Sequence, residues 1–339
     1  MAGERAVVVG AGGISGAWFP PLAKEKVDVV GVVDLDVARA AQRVAQYGLD
    51  CEPSRDLKAT LKRTAPDFVV DLTVPEAHRQ VTCTALRAGY HVIGEKPMAA
   101  SMAEARRMVA AAEKAGKMYM VSQSRRWEPK HYRITKAIAA GKLGKVSIVN
   151  CDFYVNPRFG GFRAKMPSPL ILDMSIHHFD LVRMFTGADP VAVYAHEFNP
   201  PGSWAKGGDV AASCVFEMAD GMVFSYNGSW AADGCVTSWH GDWRFIGEKG
   251  TVVYQRDGDP VGEVLSRVSE RKARTRPLPM PKTTLRYTGM HGGLREMLAF
   301  LRKGTAPQTE CHDNIKSLAM VFAAMESSRR GRRVPVRTL

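Results

Sequence analysis

No apolar run in this 339-residue chain approaches the roughly 20 residues that a membrane-spanning helix needs; the longest strand-like ones, residues 29–33 and 68–74, are short. A soluble protein without a membrane partner is expected. Residues 1–5 lack the basic region, apolar stretch and small-residue cleavage site of an export signal, so a cytoplasmic location is expected. Cysteine is sparse and scattered: Cys51, Cys83, Cys151, Cys214, Cys235 and Cys311 form no Cys-x-x-Cys. That spacing suggests neither a zinc site nor a compact disulfide framework, so reduced, buried thiols and no metal are expected. Internal repeats and low-complexity segments are absent. Charge is uneven, with 47 Lys and Arg against 34 Asp and Glu and a formal net charge of +13. The excess is spread out, with local peaks at residues 267–276 and 329–337, and no groove-reading or base-stacking motif accompanies it. Nucleic acid is not an expected partner. What is present, 45% hydrophobic and 24% charged residues, is ordinary for globular proteins and excludes disorder and fibrous repeats.

From residue 6 to about 122, β-branched runs alternate with helical stretches. Strands are predicted at 6–9, 29–33, 68–72, 91–93 and 118–121, and helices at 14–24, 37–47, 76–88 and 101–115. Ser101 followed by Glu104 reads as a capping box, and Pro20-Pro21 should kink or break the first helix. Such alternation makes a parallel sheet covered by helices on both faces. Beyond about residue 123 the pattern changes to a helix at 129–140, then strands near 146–154, 191–197, 211–218, 222–230 and 243–246. The turns at 219–221 and 247–250 fit antiparallel hairpins. Residues 266–282, basic and proline-interrupted, look like a long excursion, and helices near 294–303 and 313–327 close the chain. The predicted division is therefore an α/β domain over residues 1–123 and an α+β domain over residues 124–339.

Gly10-Ala11-Gly12-Gly13-Ile14-Ser15-Gly16 lies directly between the first strand and the first helix, the context in which Gly-x-Gly has meaning. Gly10 allows the tight turn, and Gly12 has no side chain to keep a pyrophosphate from the free N–H groups of the following helix. The usual third glycine is replaced by Ser15. Asp34 ends the second strand, near the roughly 20-residue offset at which an acid meets the ribose hydroxyls of NAD. An acid there repels a 2′-phosphate, and Leu35 and Asp36 bring no guanidinium, so NAD is favoured over NADP.

Glu95-Lys96-Pro97 follows the strand at 91–93, at the carboxyl edge where such sheets bind ligands, and Pro97 restricts Lys96 to an extended backbone. A lysine so placed suits the handling of a substrate hydroxyl; a solvated surface lysine is the alternative. In the segment 170–187, Leu172, Ile176, Phe179 and Val182 form one helical stripe, while Asp173, His177 and Asp180 share another face. A carboxylate one turn from an imidazole holds its tautomer and raises its pKa toward working pH. Whether His177 or His178 is the functional imidazole stays open, as does a helix N-terminal role for Asp173. Arg125, Arg126 and Trp127 after the last parallel strand, and Arg158, Arg163 and Lys165 before the Asp173 segment, are either an anion-binding set or a solvated basic rim. Trp204, Trp230, Trp239 and Trp243 read as core, with one or two available to stack on a sugar ring.

Together, Gly10-Ala11-Gly12-Gly13-Ile14, Asp34, Glu95-Lys96-Pro97 and Asp173-x-x-x-His177-x-x-Asp180 resemble the glucose-fructose oxidoreductase/inositol dehydrogenase/MocA family over essentially the whole chain. The resemblance implies an N-terminal Rossmann domain and a C-terminal α+β domain with an open, mostly antiparallel sheet, often used for oligomerisation; a homodimer or homotetramer is expected. It implies NAD as cofactor and a carbohydrate, cyclitol or related polyol as substrate. By the same resemblance Lys96, Asp173 and His177 match the catalytic positions. The segment Thr73-Val74-Pro75-Glu76-Ala77-His78 looks like the cofactor-proximal loop, which implicates Pro75 and His78 beside Gly10, Gly12, Gly13, Ile14, Asp34, Glu95 and Lys96 in cofactor binding. Lys96, Arg125, Trp127, Arg158, Asp173 and His177 form the expected substrate set. Ser175 stands where the family commonly has glycine, which implies a reshaped substrate side. The expected activity is hydride transfer between a hydroxyl and nicotinamide. The alternatives are an NAD-dependent glycoside hydrolase working by transient 3-oxidation and elimination, and a non-catalytic NAD-binding regulator.

Overall fold

The computed structural model describes residues 3–161, 163–268 and 272–338. Its residues form two compact units, one of Met1–Trp127 with Tyr287–Leu318, the other of Glu128–Arg286 with Ala319–Thr338.

The first unit holds a six-stranded sheet of β1 (Arg5–Val9), β2 (Asp28–Val33), β3 (Pro53–Ser54), β4 (Phe68–Asp71), β5 (His91–Glu95) and β6 (Tyr119–Ser122). The order is β3-β2-β1-β4-β5-β6 and every pairing is parallel, which is the arrangement of a Rossmann sheet. Val7, Val8, Val32, Val69, Val70, Val92 and Ile93 are fully buried or nearly so, as strands covered on both faces require. The crossovers are α1 (Ser15–Lys24), α2 (Val37–Tyr47), α3 (Leu57–Thr64), α4 (Pro75–Arg87) and α5 (Met102–Ala115). Contrary to expectation, α1 runs unbroken through Pro20 and Pro21. Proline at 20 leaves the Gly16 carbonyl without its helical donor, and the Tyr47 hydroxyl donates to it at 3.4 Å while the Tyr47 ring stacks on Phe19. β3 and α3 are additions to the predicted elements; α3 is capped by the Asp56 side chain accepting from Ala59 N.

The second unit contains α6 (Pro129–Ala139), β7 (Val146–Tyr154), α7 (Ile176–Thr186), β8 (Pro190–Phe198), β9 (Ala211–Met218), β10 (Val223–Ser229), β11 (Asp242–Gly247), β12 (Gly250–Tyr254), β13 (Val261–Val268) and β14 (Ala273–Pro277). These strands, with the closing β15 (Val334–Pro335), form a nine-stranded sheet ordered β14-β13-β12-β11-β7-β10-β9-β8-β15. Only β10 with β7 is parallel; the turns at 219–221 and 247–250 close antiparallel hairpins as read. The supposed excursion at 266–282 is in part the β13–β14 hairpin, which its exposed, basic residues conceal; Ser269, Glu270 and Arg271 lie outside the described residues. One face of the sheet packs on α7, with Phe179 against Phe216, Phe224 and Tyr226.

The chain closes with α8 (Gly289–Lys303) and α9 (Cys311–Arg330). A single division at 123/124 does not describe the units, because residues 287–318 pack with the N-terminal ones. Gly289 N donates to Trp127 O at 3.1 Å, Trp127 Nε1 donates to Glu296 Oε1 at 2.8 Å, and Val121 N donates to Thr309 O at 3.0 Å. Among the described residues no helix is long and apolar enough to cross a membrane.

Candidate functional site

The glycine turn is built as its residues require. Gly10 has φ +99°, and a Cβ there would lie 2.7 Å from the Leu72 backbone, so only glycine fits between β1 and β4. Gly12 and Gly13 face open space instead, with nothing within 4 Å of a Cβ position. Ser15, in place of the third glycine, is fully buried and its hydroxyl donates to Gly12 O at 2.7 Å, closing the turn without protruding. Asp34 leaves β2 with Oδ2 accepting from Ala11 N at 2.7 Å and Oδ1 from Asp36 N at 2.9 Å. Arg43 of α2, which no local pattern flagged, donates through Nη2 to Gly12 O at 3.1 Å and props the turn from behind. Beside these residues lies a cleft of about 800 Å³ bounded by Gly10, Gly12, Asp34, Thr73, Val74 and Arg55. An open glycine turn at a helix N-terminus, with an acid at the far rim, fits a dinucleotide: N–H groups for the pyrophosphate and a carboxylate with lone pairs to spare for ribose hydroxyls. Ile14 is exposed, whereas Pro75 and His78 do not border this cleft.

Behind the cleft wall is a buried polar network. Asp71, at the end of β4, is fully buried and accepts from Thr73 N at 3.2 Å, Thr73 Oγ1 at 2.6 Å and Thr82 Oγ1 at 3.0 Å. His78 of α4 is 1% exposed and places Nδ1 3.1 Å from Asp71 Oδ1. Burial works against both charges, yet the pairing holds Asp71 below the usual carboxylate range and His78 above the usual imidazole one. Glu95, expected at the cofactor, instead turns inward: it is buried, accepts from Trp18 Nε1 at 2.8 Å, and its carboxyl is pushed up by burial against the opposing pull of Trp18, Lys96 and His78. Lys96 follows at the carboxyl edge of the sheet, half-buried, with its own N–H donating to Glu95 Oε2 at 3.2 Å.

In the second unit the segment Leu170–Ser175 is π-helical and passes into α7 at Ile176. The wider turn means that the even four- and three-residue face drawn through Asp173, His177 and Asp180 does not hold at its first member. Asp173 Oδ2 is engaged by Arg163 Nε at 2.5 Å, a partner 10 positions away that spacing did not single out for it. His177 is 8% exposed; His178 is fully buried among Phe153, Tyr226 and Trp243 and belongs to the aromatic core. Ser175 does not face a substrate side: it is fully buried, bonding Leu170 O at 3.2 Å and Tyr226 OH at 2.9 Å.

Two members of the expected substrate set are engaged elsewhere. Trp127 is 2% exposed, packed against Gly292 and Gly293 of α8 with its N–H held by Glu296, which makes it a core residue. Arg158 pairs with Asp233 at 2.8 Å on the surface. Arg126 is buried and paired with Asp313 at 2.7 Å, while Arg125 is half-buried. Trp204 donates Nε1 to Trp230 O at 2.7 Å, and Trp239 is the exposed member of the four tryptophans read as core or stacking residues. Glu310, Cys311 and His312 bring ligand-type atoms within 4.8 Å of one another, but Glu310 is occupied in accepting from His312 N and Asp313 N at the start of α9.

The sheet order and glycine cleft define the first unit as an NAD-binding Rossmann domain, and comparison with known proteins places the whole chain. Residues 4–123 match the family model of the oxidoreductase family with an NAD-binding Rossmann fold, and residues 131–253 match the GFO/IDH/MocA C-terminal domain. The chain belongs to the GFO/IDH/MocA family, whose relatives include sugar and polyol oxidoreductases. It is 29% identical to D-apiose dehydrogenase of Paraburkholderia graminis over 92% of this chain and 84% of that one. It is 27% identical to an uncharacterized protein of Sinorhizobium fredii over 97% of this chain and 94% of that one. In fold it resembles a levoglucosan dehydrogenase solved with NADH and L-sorbose, at TM-score 0.85 and 17% identity with both chains covered in full. An oxidoreductase from Agrobacterium radiobacter, solved with NAD+, L-tartaric acid and magnesium, matches at TM-score 0.84 and 20% identity over 98% of each chain.

Proposed function

We propose that this protein is an NAD-dependent dehydrogenase that transfers hydride between a hydroxyl-bearing carbon of a sugar, cyclitol or related polyol and the nicotinamide. The observation that carries the reading is the glycine cleft closed by Asp34, in a chain that retains Lys96, Asp173 and His177. Bound NAD supplies the hydride acceptor. Gly10, Gly12, Gly13 and Ile14 form the pyrophosphate turn, and Asp34 accepts from the ribose hydroxyls and disfavours a 2′-phosphate. His177 takes the hydroxyl proton as base, and the Lys96 ammonium steadies the developing alkoxide. The family resemblance gives Asp173 the part of orienting His177, while its Oδ2 is held by Arg163. Arg125, half-buried, is the remaining contact for a substrate oxygen. The reading requires Lys96 and His177 to act on one substrate.

The purified protein incubated with NAD and a panel of polyols, free sugars, uronates and aryl glycosides is expected to accumulate NADH with one of the first three classes. Aglycone release without NADH would establish the redox-assisted hydrolase in its place, and silence throughout a regulator. Lys96→Ala and His177→Ala should each lower turnover by roughly 10² to 10⁴; wild-type turnover in either refutes its role. Asp34→Ala is expected to weaken NAD binding by about ten- to a hundredfold and to narrow the preference over NADP, read by calorimetry with both cofactors. The assembly proposed is a homo-oligomer joined by the outer face of the nine-stranded sheet, where Ile148, Tyr194, Val215 and Val223 are exposed on one side of paired strands. Light scattering should give a dimer or tetramer mass, which Tyr194→Asp with Val215→Asp lowers.

A further inference from the structure

Three segments leave one edge of the nine-stranded sheet together. β7 ends at Tyr154 opposite Ser229, the last residue of β10; Ser229 pairs with Ala211 at the start of β9, and Ala211 with Phe198 at the end of β8. β11 begins at the same edge, with Asp242 opposite Asp152. The chain between these strands, residues 155–169, 199–210 and 230–241, is therefore gathered in one place. Backbone bonds fasten it: Thr237 N donates to Tyr154 O at 3.0 Å, Lys206 N to Ala164 O at 3.3 Å and Asp209 N to Pro167 O at 2.9 Å. Asn156 Nδ2 and Arg158 Nη2 both donate to Asp233 Oδ2, at 3.0 and 2.8 Å.

Each segment brings an aromatic ring to this junction. Phe159 lies edge-on to Trp230 and Trp204, with ring centroids 5.2 and 5.8 Å away, and tilted to Trp239 at 6.5 Å. It also carries Arg163, whose guanidinium carbon is 5.0 Å from the ring centroid and whose Nε engages Asp173 Oδ2 at 2.5 Å. Trp230 is buried and its carbonyl holds the Trp204 N–H, so these two act as a small core for the loops. Trp239 does not share that role: it is 45% exposed, as is Val236 three positions earlier. A solitary exposed apolar residue would call for no explanation, but this indole adjoins a second one and stands one ring away from the pair that holds Asp173.

We propose that Trp239 and Phe159 form a stacking surface for a second sugar ring, so that the substrate is a glycoside of two or more sugar units and not a free monosaccharide or cyclitol. The inference rests on the reading of Asp173 given above. A pyranose ring presents C–H groups on its face and hydroxyls around its edge. An indole accepts the face, and Asn156, Arg158 and Asp233 bring donors and acceptors for the edge to the same two segments. Because the segments are fastened to one another, the surface is preformed and little ordering opposes binding.

The full-length protein with NAD is assayed for NADH against glucose, galactose and xylose, and against disaccharides that contain them: cellobiose, gentiobiose, lactose and xylobiose. At least one disaccharide should exceed its component sugar in kcat/KM by about tenfold, mainly through KM, and should bind more tightly in calorimetry by a similar factor. Trp239→Ala, at an exposed position and checked by circular dichroism, should abolish that ratio; Trp239→Phe, which keeps an aromatic face, should restore most of it. No disaccharide favoured over its component sugar in either measurement overturns the proposal, and so does a Trp239→Ala variant that keeps the wild-type ratio. Preference for an aryl glycoside over every disaccharide overturns it as well, since the surface would then take an aryl group. Failure of the dehydrogenase reading has a different signature: a disaccharide that binds in calorimetry, and loses that binding in Trp239→Ala, with no NADH formed.

Discussion

Trp127 shows how a residue with the right chemistry is claimed by its surroundings. Its position after the last parallel strand made it a candidate for the substrate set, but the ring is closed in by two glycines of α8 and its N–H is spent on Glu296. A Cβ on Gly292 would lie 2.3 Å from Trp127 Cγ, and Trp127 cannot retreat because its carbonyl is held by Gly289 N. Gly292→Ala should therefore cost about 1–3 kcal/mol of stability in urea unfolding, the range for overpacking. A variant as stable as wild type would mean that the indole has room to move, and would return Trp127 to the candidates. Glu95 and Arg158 were misjudged for the same reason: Trp18 and Asp233 lie 77 and 75 positions away, and no local pattern encodes such partners. The turn at Gly10 and Gly12 was legible because a strand-to-helix turn constrains neighbours in the chain, and Asp34, 23 positions from its partner Ala11, because a strand–helix–strand unit fixes that offset.

Elements follow the same division. The five longer strands of the first sheet were placed to within a residue or two, since parallel strands buried on both faces are near-continuous β-branched runs. β13 and β14 were not, because both are almost wholly exposed and the apolar residues of β13, Val261, Val264, Leu265 and Val268, follow no even alternation. The segment before α7 was read as helical, but its π form was invisible to a 3.6-residue period. Ser175 sits in that wider turn with its hydroxyl on Leu170 O and Tyr226 OH, so it works as an internal tie to β10. The close contact is possible because residue 228 is glycine; a Cβ there would come within 2.4 Å of the Tyr226 hydroxyl oxygen. Ser175→Gly should destabilise the protein by about 1–2 kcal/mol through lost hydrogen bonds and added backbone freedom, with substrate preference unchanged. Equal thermal stability, or an altered preference, would disprove the tie. In α1, Tyr47→Phe removes the hydroxyl that satisfies Gly16 O beneath the two prolines, and about 0.5–1.5 kcal/mol should go with it, measured by denaturant midpoint.

At the scale of the whole molecule, part of the basic excess lies along a sheet edge. One edge of the nine-stranded sheet, β14, is exposed along its length and carries Arg274 and Arg276, and the other, β15, is two residues long and ends in Pro335. Charge, brevity and proline are the means by which open sheets resist pairing edge to edge. The inner face has one acid out of keeping with its surroundings. Glu197 of β8 is 9% exposed beside Ser168, with Asp209 adding like charge, and its carboxyl is pushed up to about 7 from 4.5, chiefly by burial. The unfolded chain releases this proton above pH 4.5, whereas the folded one retains it until about pH 7. Between those limits the folded state binds more protons, so the contribution is complete below the lower limit, declines across the window and is lost above the upper one. Glu197→Gln removes the titration while keeping a donor and an acceptor. Its stability relative to wild type should therefore rise with pH across that interval and level off beyond it, by about 2–3 kcal/mol in total. Urea unfolding of both proteins at pH 5, 6, 7 and 8 measures this directly, and a difference that is the same at all four would show that Glu197 is ionised throughout and reached by water.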